Sequence, residues 1–192
     1  MKKSLLQHQI EESSKVKTSL IRDEKKINQA INKIAKTINL GKTIYLCGNG
    51  GSAADAQHLV AEMLIRLRPH VNRRAIPFIS LAMDSSTLTA CANDYGYNYV
   101  FSRPLSALAK KGDVIITIST TGNSQNILEA LKIANKKEIY SIGFLGGNGG
   151  KAKKYCNLPI IVNSKITARI QEAHIFLGHH ILEQCENKII KR

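Results

Sequence analysis

The stretch Ile44-Tyr45-Leu46-Cys47-Gly48-Asn49-Gly50-Gly51-Ser52-Ala53-Ala54-Asp55-Ala56-Gln57-His58-Leu59-Val60-Ala61-Glu62 decides the fold. Ile44 to Cys47 is a short apolar run of the kind that forms a buried strand. Gly48 to Ser52 breaks that run with a turn that demands glycine backbone. Alanine-rich helix-forming sequence follows, and it carries His58 and Glu62 one turn apart on one face. A strand, a tight glycine turn and a helix N-terminus make an anion cradle. A histidine beside a carboxylate can transfer protons or hold a metal.

Downstream, Ile76 to Leu81 reads as a second strand with Pro77 near its start. Asp84-Ser85-Ser86 caps a helix expected to run to Ala92, and Asn93-Asp94-Tyr95-Gly96 reads as a turn. A helix over Val100–Lys110 places Pro104 in its first turn. Val114 to Ile118 is an uninterrupted β-branched run, as in a parallel strand covered on both faces. Helix Gln125–Lys136, strand Ile139–Leu145, a flexible glycine turn at Gly146–Gly150, a short basic helix, strand Leu158–Val162 and a final helix from Ile166 complete the order. Strands alternating with helices predict an α/β fold with a doubly wound parallel sheet, one domain over residues 1–192.

Upstream, Val16, Leu20, Ile27, Ile31, Ile34 and Ile38 form a helix-period stripe between Ser4 and Leu40, with Gly41 as the stop. Residues 1–40 are therefore a helical segment ahead of an α/β core at 41–192. Its stripe is expected to pack on its own sheet and on a second copy of the chain.

A net charge of +14 invites a nucleic-acid reading, but aromatics are only 5% and no basic run is interleaved with them. A basic surface that attracts anionic substrates is the better reading, with no nucleic-acid partner expected. The start, MKKSLLQHQIEESSK, lacks the apolar core of a signal peptide, and no run is long enough to span a membrane. The four scattered cysteines show no CxxC pair, which favours free buried thiols and a cytoplasmic location.

Ser119-Thr120-Thr121-Gly122-Asn123-Ser124 packs four hydroxyls into six residues between a buried strand and a helix start. Such a loop can hold a phosphate on neutral donors, backbone N–H groups and the helix dipole. It lies with the Gly48–Ser52 loop at the carboxyl ends of strands, where ligands bind in open α/β sheets. Neither loop completes G-x-G-x-x-G, and no Walker lysine is present, so no nucleotide cofactor is expected. On the last helix, Gln171, Glu172 and His179 share one sector, with His179 about 80° from Gln171. His180 points the opposite way, which makes His179 the better site candidate. The basic run Arg66–Arg74 belongs to neither loop.

The segments CGNGGSAADAQHLVAE, ANDYGYNYVFSR, ISTTGNS and TARIQEAHIFLGHH resemble, in order and spacing, the sugar isomerase (SIS) family, and within it the phosphoheptose isomerases. The resemblance runs from about Leu40 to the C-terminus. It implies a flavodoxin-like three-layer α/β/α sandwich assembled as a homotetramer with sites between subunits. Asn49, Gly50, Gly51 and Ser52 fall on the family's substrate loop, and Asn93 with Asp94 on a second substrate-contacting turn. Ser119, Thr120, Thr121 and Ser124 match its phosphate loop, and Thr121 keeps the hydroxyl of a more common serine. Gln171 matches a substrate-contacting glutamine. His58, Glu62, Gln171 and His179 match the cluster that holds one zinc ion per subunit. Glu62 and His179 match the base and acid.

The implied reaction is an aldose–ketose isomerisation of sedoheptulose 7-phosphate to D-glycero-D-manno-heptose 7-phosphate through an enediol. It would open nucleotide-activated heptose synthesis, feeding lipopolysaccharide core or another surface glycan. The alternatives are a non-catalytic SIS-fold tetramer that binds the replication initiator DnaA, or a phosphosugar-sensing regulator. The first lacks the acid–base pair, whereas Glu62 and His179 are both present here.

Overall fold

The computed structural model describes residues 3–190. Five strands, β1 (Ile44–Gly48), β2 (Phe78–Ser80), β3 (Val114–Ser119), β4 (Tyr140–Gly146) and β5 (Leu158–Val162), form one sheet in the order β2-β1-β3-β4-β5. Every pairing is parallel. The order reverses between β1 and β3, the topological switch point at which such sheets bind ligands. All residues of β1 and β3 are buried, because helices cover both faces of the sheet.

The pleat divides the core in two. Ile44, Leu46, Val114, Ile116 and Ile118 face α2 (Glu24–Asn39), α3 (Gly51–Leu64) and α7 (Thr167–Ile190). Tyr45, Cys47 and Ile115 face the other way, toward α4 (Ser85–Tyr95), α5 (Ser102–Leu108) and α6 (Gln125–Lys136). This is the expected three-layer sandwich. All four cysteines are free; burial pushes the Cys156 and Cys185 thiols up to about 12, which keeps them protonated.

Four expected elements differ in extent or kind. Strand β2 is only three residues long. Pro77 has no N–H to give, so it contributes only its carbonyl, which accepts from Ile44 N–H at 3.0 Å. Ile76 N–H turns back to the Met63 carbonyl instead. Helix α4, capped by Asp84 accepting from Ser86 N–H at 3.0 Å, runs through Asn93 and Asp94. The turn expected at 93–96 is thus the last turn of a helix, ended by Gly96 at φ 92°. The helix expected over Val100–Lys110 shrinks to α5, behind a 3-10 turn at Tyr97–Tyr99. The expected short basic helix is likewise a 3-10 turn, Ala152–Lys154.

At the N-terminus, α1 (Leu5–Ser19) starts in a capping box between Ser4 and Gln7 and joins α2 through a 3-10 turn. Helix α2 buries Ile27, Ile31, Ile34 and Ile38, whereas α1 buries none of its residues. Leu5, Leu6 and Ile10 are 58–72% exposed. The apolar stripe from Leu20 onward is buried in this chain's core, and Val16 packs partly against it. Gly41, at φ 67°, is the stop that the sequence predicts.

His174 on α7 is fully buried, and neither ring nitrogen has a hydrogen-bond partner. Burial lowers its pKa to about 4. The folded pKa lies below the unfolded value, so between about pH 6.5 and pH 4 the unfolded chain binds more protons. Stability is therefore lost as pH falls through that window, by up to about 3 kcal/mol. Urea denaturation at pH 7.5, 5.5 and 4.5 should show this slope, and His174→Phe should flatten it. An unchanged slope in that variant refutes the assignment.

Candidate functional site

Two loops leave the sheet together. Gly48 pairs with Ile118 across β1 and β3, so Asn49–Ser52 and Ser119–Ser124 emerge side by side at the carboxyl edge. Gly50, the residue before α3, holds φ 54° and ψ −122°, a conformation open to glycine and strained for other residues. In the second loop Ser119 Oγ accepts from Gly122 N–H at 3.0 Å, and Thr121 Oγ1 accepts from Asn123 N–H at 3.1 Å. Each hydroxyl is thereby oriented as an acceptor inside the loop, leaving its proton for an incoming anion. Ser124 occupies the N-cap of α6, yet its hydroxyl makes no capping bond. The loop offers neutral hydroxyl donors at the positive end of a helix, an arrangement suited to phosphate.

The glycine loop after β4 is not the free turn expected from sequence. Gly150 N–H bonds Asn148 Oδ1, Lys151 N–H bonds Asn123 Oδ1 at 3.0 Å, and Ala152 N–H bonds the Gly122 carbonyl at 2.9 Å. A Cβ at Gly122 would collide with the Gly149 carbonyl. Backbone stacked on backbone buttresses the hydroxyl loop, and glycine permits the approach.

Helices α3 and α7 supply the titratable groups. A Cβ at Gly178 would press on the Leu59 side chain, so the two helices pack closely there. That contact brings His179 onto His58, with Nε2 atoms 2.8 Å apart and rings in an edge-to-face arrangement. His58 Nε2 lies 3.4 Å from Glu62 Oε1. The ligating atoms of His58, Glu62 and His179 all fall within 4.8 Å of one another. Two imidazole nitrogens and a carboxylate converging on one point fit a zinc donor set. His180 is exposed and stacks on Phe176, away from the cluster.

Gln171, earlier in α7, lies at the start of α3 beside the first loop. Its amide packs directly over Gly51, where any Cβ would clash. Glu172 does not join, although it shares the helical sector: its carboxylate pairs with Arg169 at 2.7 Å. Arg169 also ties α1 down through the Gln9 carbonyl at 2.6 Å. Asn93 and Asp94 lie exposed at the end of α4 and bond each other at 2.9 Å.

The 192-residue chain carries the SIS domain signature over residues 9–146. It is 43% identical over 190 residues to a phosphoheptose isomerase of Clostridium acetobutylicum, covering 97% of this chain and 96% of that one. The chain belongs to the SIS family, among its phosphoheptose isomerases. Its fold matches the phosphoheptose isomerase of Francisella tularensis with a TM-score of 0.90 and 30% identity, over 95% and 96% of the two chains. The phosphoheptose isomerase GmhA of Neisseria gonorrhoeae matches with a TM-score of 0.87 and 36% identity, over 94% and 96%.

Some residues of this SIS site region escape a sequence reading. Asp55, on the N-terminal part of α3, has a carboxyl pKa raised by burial, with His58 opposing the shift. Asn126 is buried and bonds Asn49. Two arginines of the basic run, Arg68 and Arg73, form a clamp. Glu186 on α7 is fully buried and receives Arg68 Nε and Arg73 Nε, each at 2.6 Å. Arg73 further donates to the carbonyls of Glu62 at 2.8 Å and Met63 at 2.9 Å. Those are carbonyls in the last turn of α3, which lack helical partners. One guanidinium thus caps the helix that carries Glu62 and ties it to α7. Spacing in sequence shows none of this, because the partners are more than 110 positions apart.

Removing the carboxylate strands two cations. Glu186→Ala should lower stability by about 3 kcal/mol or more, measured by urea denaturation at neutral pH. A loss under about 1 kcal/mol would show that the guanidinium groups reach water and that the clamp is not structural.

Proposed function

We propose that this protein interconverts sedoheptulose 7-phosphate and D-glycero-D-manno-heptose 7-phosphate. The observation that carries the reading is the convergence of Glu62 and His179 at His58 from two helices, beside a hydroxyl-rich anion loop. In this reading Ser119, Thr120, Thr121 and Ser124 hold the phosphate. Asn49, Gly50, Gly51, Ser52, Gln171, Asn93 and Asp94 line the path of the sugar chain.

The chemistry follows from proton bookkeeping. Glu62 removes a proton from C1 of the ketose, which is acidified by the neighbouring carbonyl at C2. The resulting enediol is reprotonated at C2 while O1 loses its proton and O2 keeps one. His179 carries the proton between the two oxygens. One carbon-bound proton thus moves from C1 to C2, and one oxygen-bound proton moves from O1 to O2.

His58, Glu62, Gln171 and His179 are the residues that would hold zinc. Bound there, the ion would act as a Lewis acid on the two oxygens. The exposed apolar side chains of Leu5, Leu6 and Ile10 on α1 support assembly with further copies, in a cytoplasmic homotetramer. No helix among the described residues is long and apolar enough to cross a membrane.

The test is incubation with sedoheptulose 7-phosphate, following the aldose by NMR, with and without a chelator. Glu62→Gln should reduce kcat by about two to four orders of magnitude while phosphosugar binding, read by calorimetry, stays within a few-fold. An active Glu62→Gln variant refutes the role of Glu62. A chelator that leaves the rate unchanged, with metal analysis showing depletion, refutes a zinc requirement.

A further inference from the structure

Asn126 is the second residue of α6 and is 2% exposed. Its amide meets that of Asn49 across the switch point, joining the helix of the hydroxyl loop to the loop after β1. The polarity of this contact follows from one backbone group. Ile127 N–H lies 2.9 Å from one amide atom of Asn126. A backbone N–H only donates, so that atom is Oδ1. The other is Nδ2, which lies 2.8 Å from an Asn49 atom that must accept, its Oδ1. Asn49 Nδ2 then donates back to Asn126 Oδ1 at 2.9 Å. Tyr97, whose hydroxyl is 2.9 Å from Asn49 Oδ1, must be a donor as well.

Asn49 therefore has both lone pairs of its carbonyl oxygen engaged, by Asn126 and Tyr97. One N–H is also engaged. Its remaining polar valence is the second N–H of Nδ2, a donor with no partner among the described residues. A ligand resting on this loop meets a donor, which suits a carbonyl or hydroxyl oxygen of a sugar.

We propose that Asn126 is a positioning residue, which aims the free N–H of Asn49 at the sugar and holds the sugar loop in register with the phosphate loop. The proposal rests on the phosphosugar reading above. Asn126 is too deeply buried to serve as a ligand itself; it acts through Asn49. An aspartate at 126 would place a second acceptor oxygen against Asn49 Oδ1 and break the reciprocal pair. An alanine would leave Asn49 free to rotate.

The experiment compares wild type with Asn126→Asp, Asn126→Ala and Tyr97→Phe, each first shown to melt cooperatively. Two quantities are read: kcat/KM for sedoheptulose 7-phosphate, and the Ki of inorganic phosphate, which senses the hydroxyl loop alone. Both Asn126 variants should lose about tenfold in kcat/KM, while Ki stays within about twofold. Tyr97→Phe removes one of two donors to Asn49 Oδ1 and should lose about two- to threefold. A parallel rise in Ki would mean general loosening of the fold and overturns the proposal. So does an unchanged kcat/KM in a folded Asn126→Asp protein. Should Asn126→Ala fail to fold, Asn126→Asp and the exposed Tyr97→Phe decide. If wild type itself turns over no sedoheptulose 7-phosphate, the phosphosugar reading fails first, and this proposal with it.

Discussion

The parallel pairing of β1 with β3 is the constraint on which the remainder of the structure depends. Both strands are buried along their whole length, so neither can shift register without turning apolar side chains out of one core and into the other. The pairing ends at Gly48 opposite Ile118. One glycine-rich loop and one hydroxyl-rich loop therefore leave the sheet at the same edge, with two helix N-termini behind them. Neutral hydroxyls and two helix N-termini at one edge are an arrangement suited to an anion.

Acid–base groups reach that edge by a different route. His58 and Glu62 come from the second half of α3 and His179 from the middle of α7, two helices that cover the same face of the sheet. Their close packing falls at small residues: Gly178 against Leu59, and Gly51 beneath Gln171. It is held by charge at the far end, where Arg73 links the carbonyls of Glu62 and Met63 to the buried carboxylate of Glu186. A buried ion pair contributes little net stability compared with apolar packing, but it penalises any arrangement that leaves a charge without a partner. In this chain such a device fixes the relation of α3 to α7, and it gives Arg68 and Arg73 of the basic run a structural role.

The asymmetry of the N-terminal segment follows from the same economy of surface. Helix α2 finds apolar cover on the sheet and α7, whereas α1 reaches its own chain through a few contacts such as Arg169 to the Gln9 carbonyl. Leu5, Leu6 and Ile10 of α1 are left without apolar cover on this chain.

Much of this was legible from sequence for a physical reason: each signal is local. Apolar runs of β-branched residues mark buried parallel strands, glycines mark turns, and spacings of three and four mark helix faces. The strand over Leu158–Val162 and the helix over Gln125–Lys136 keep the limits that their residues predict. Both ligand loops, and His58 beside Glu62, follow from the same local rules. Contacts between distant positions are decided by packing alone. That His179 meets His58 while Glu172 turns to Arg169 depends on how two helices distant in sequence pack together. The amide pair of Asn49 and Asn126 spans 77 positions, and Glu186 lies more than 110 from either arginine. No periodicity encodes such partners, because a buried polar group finds its match only once the sheet has brought the chain together.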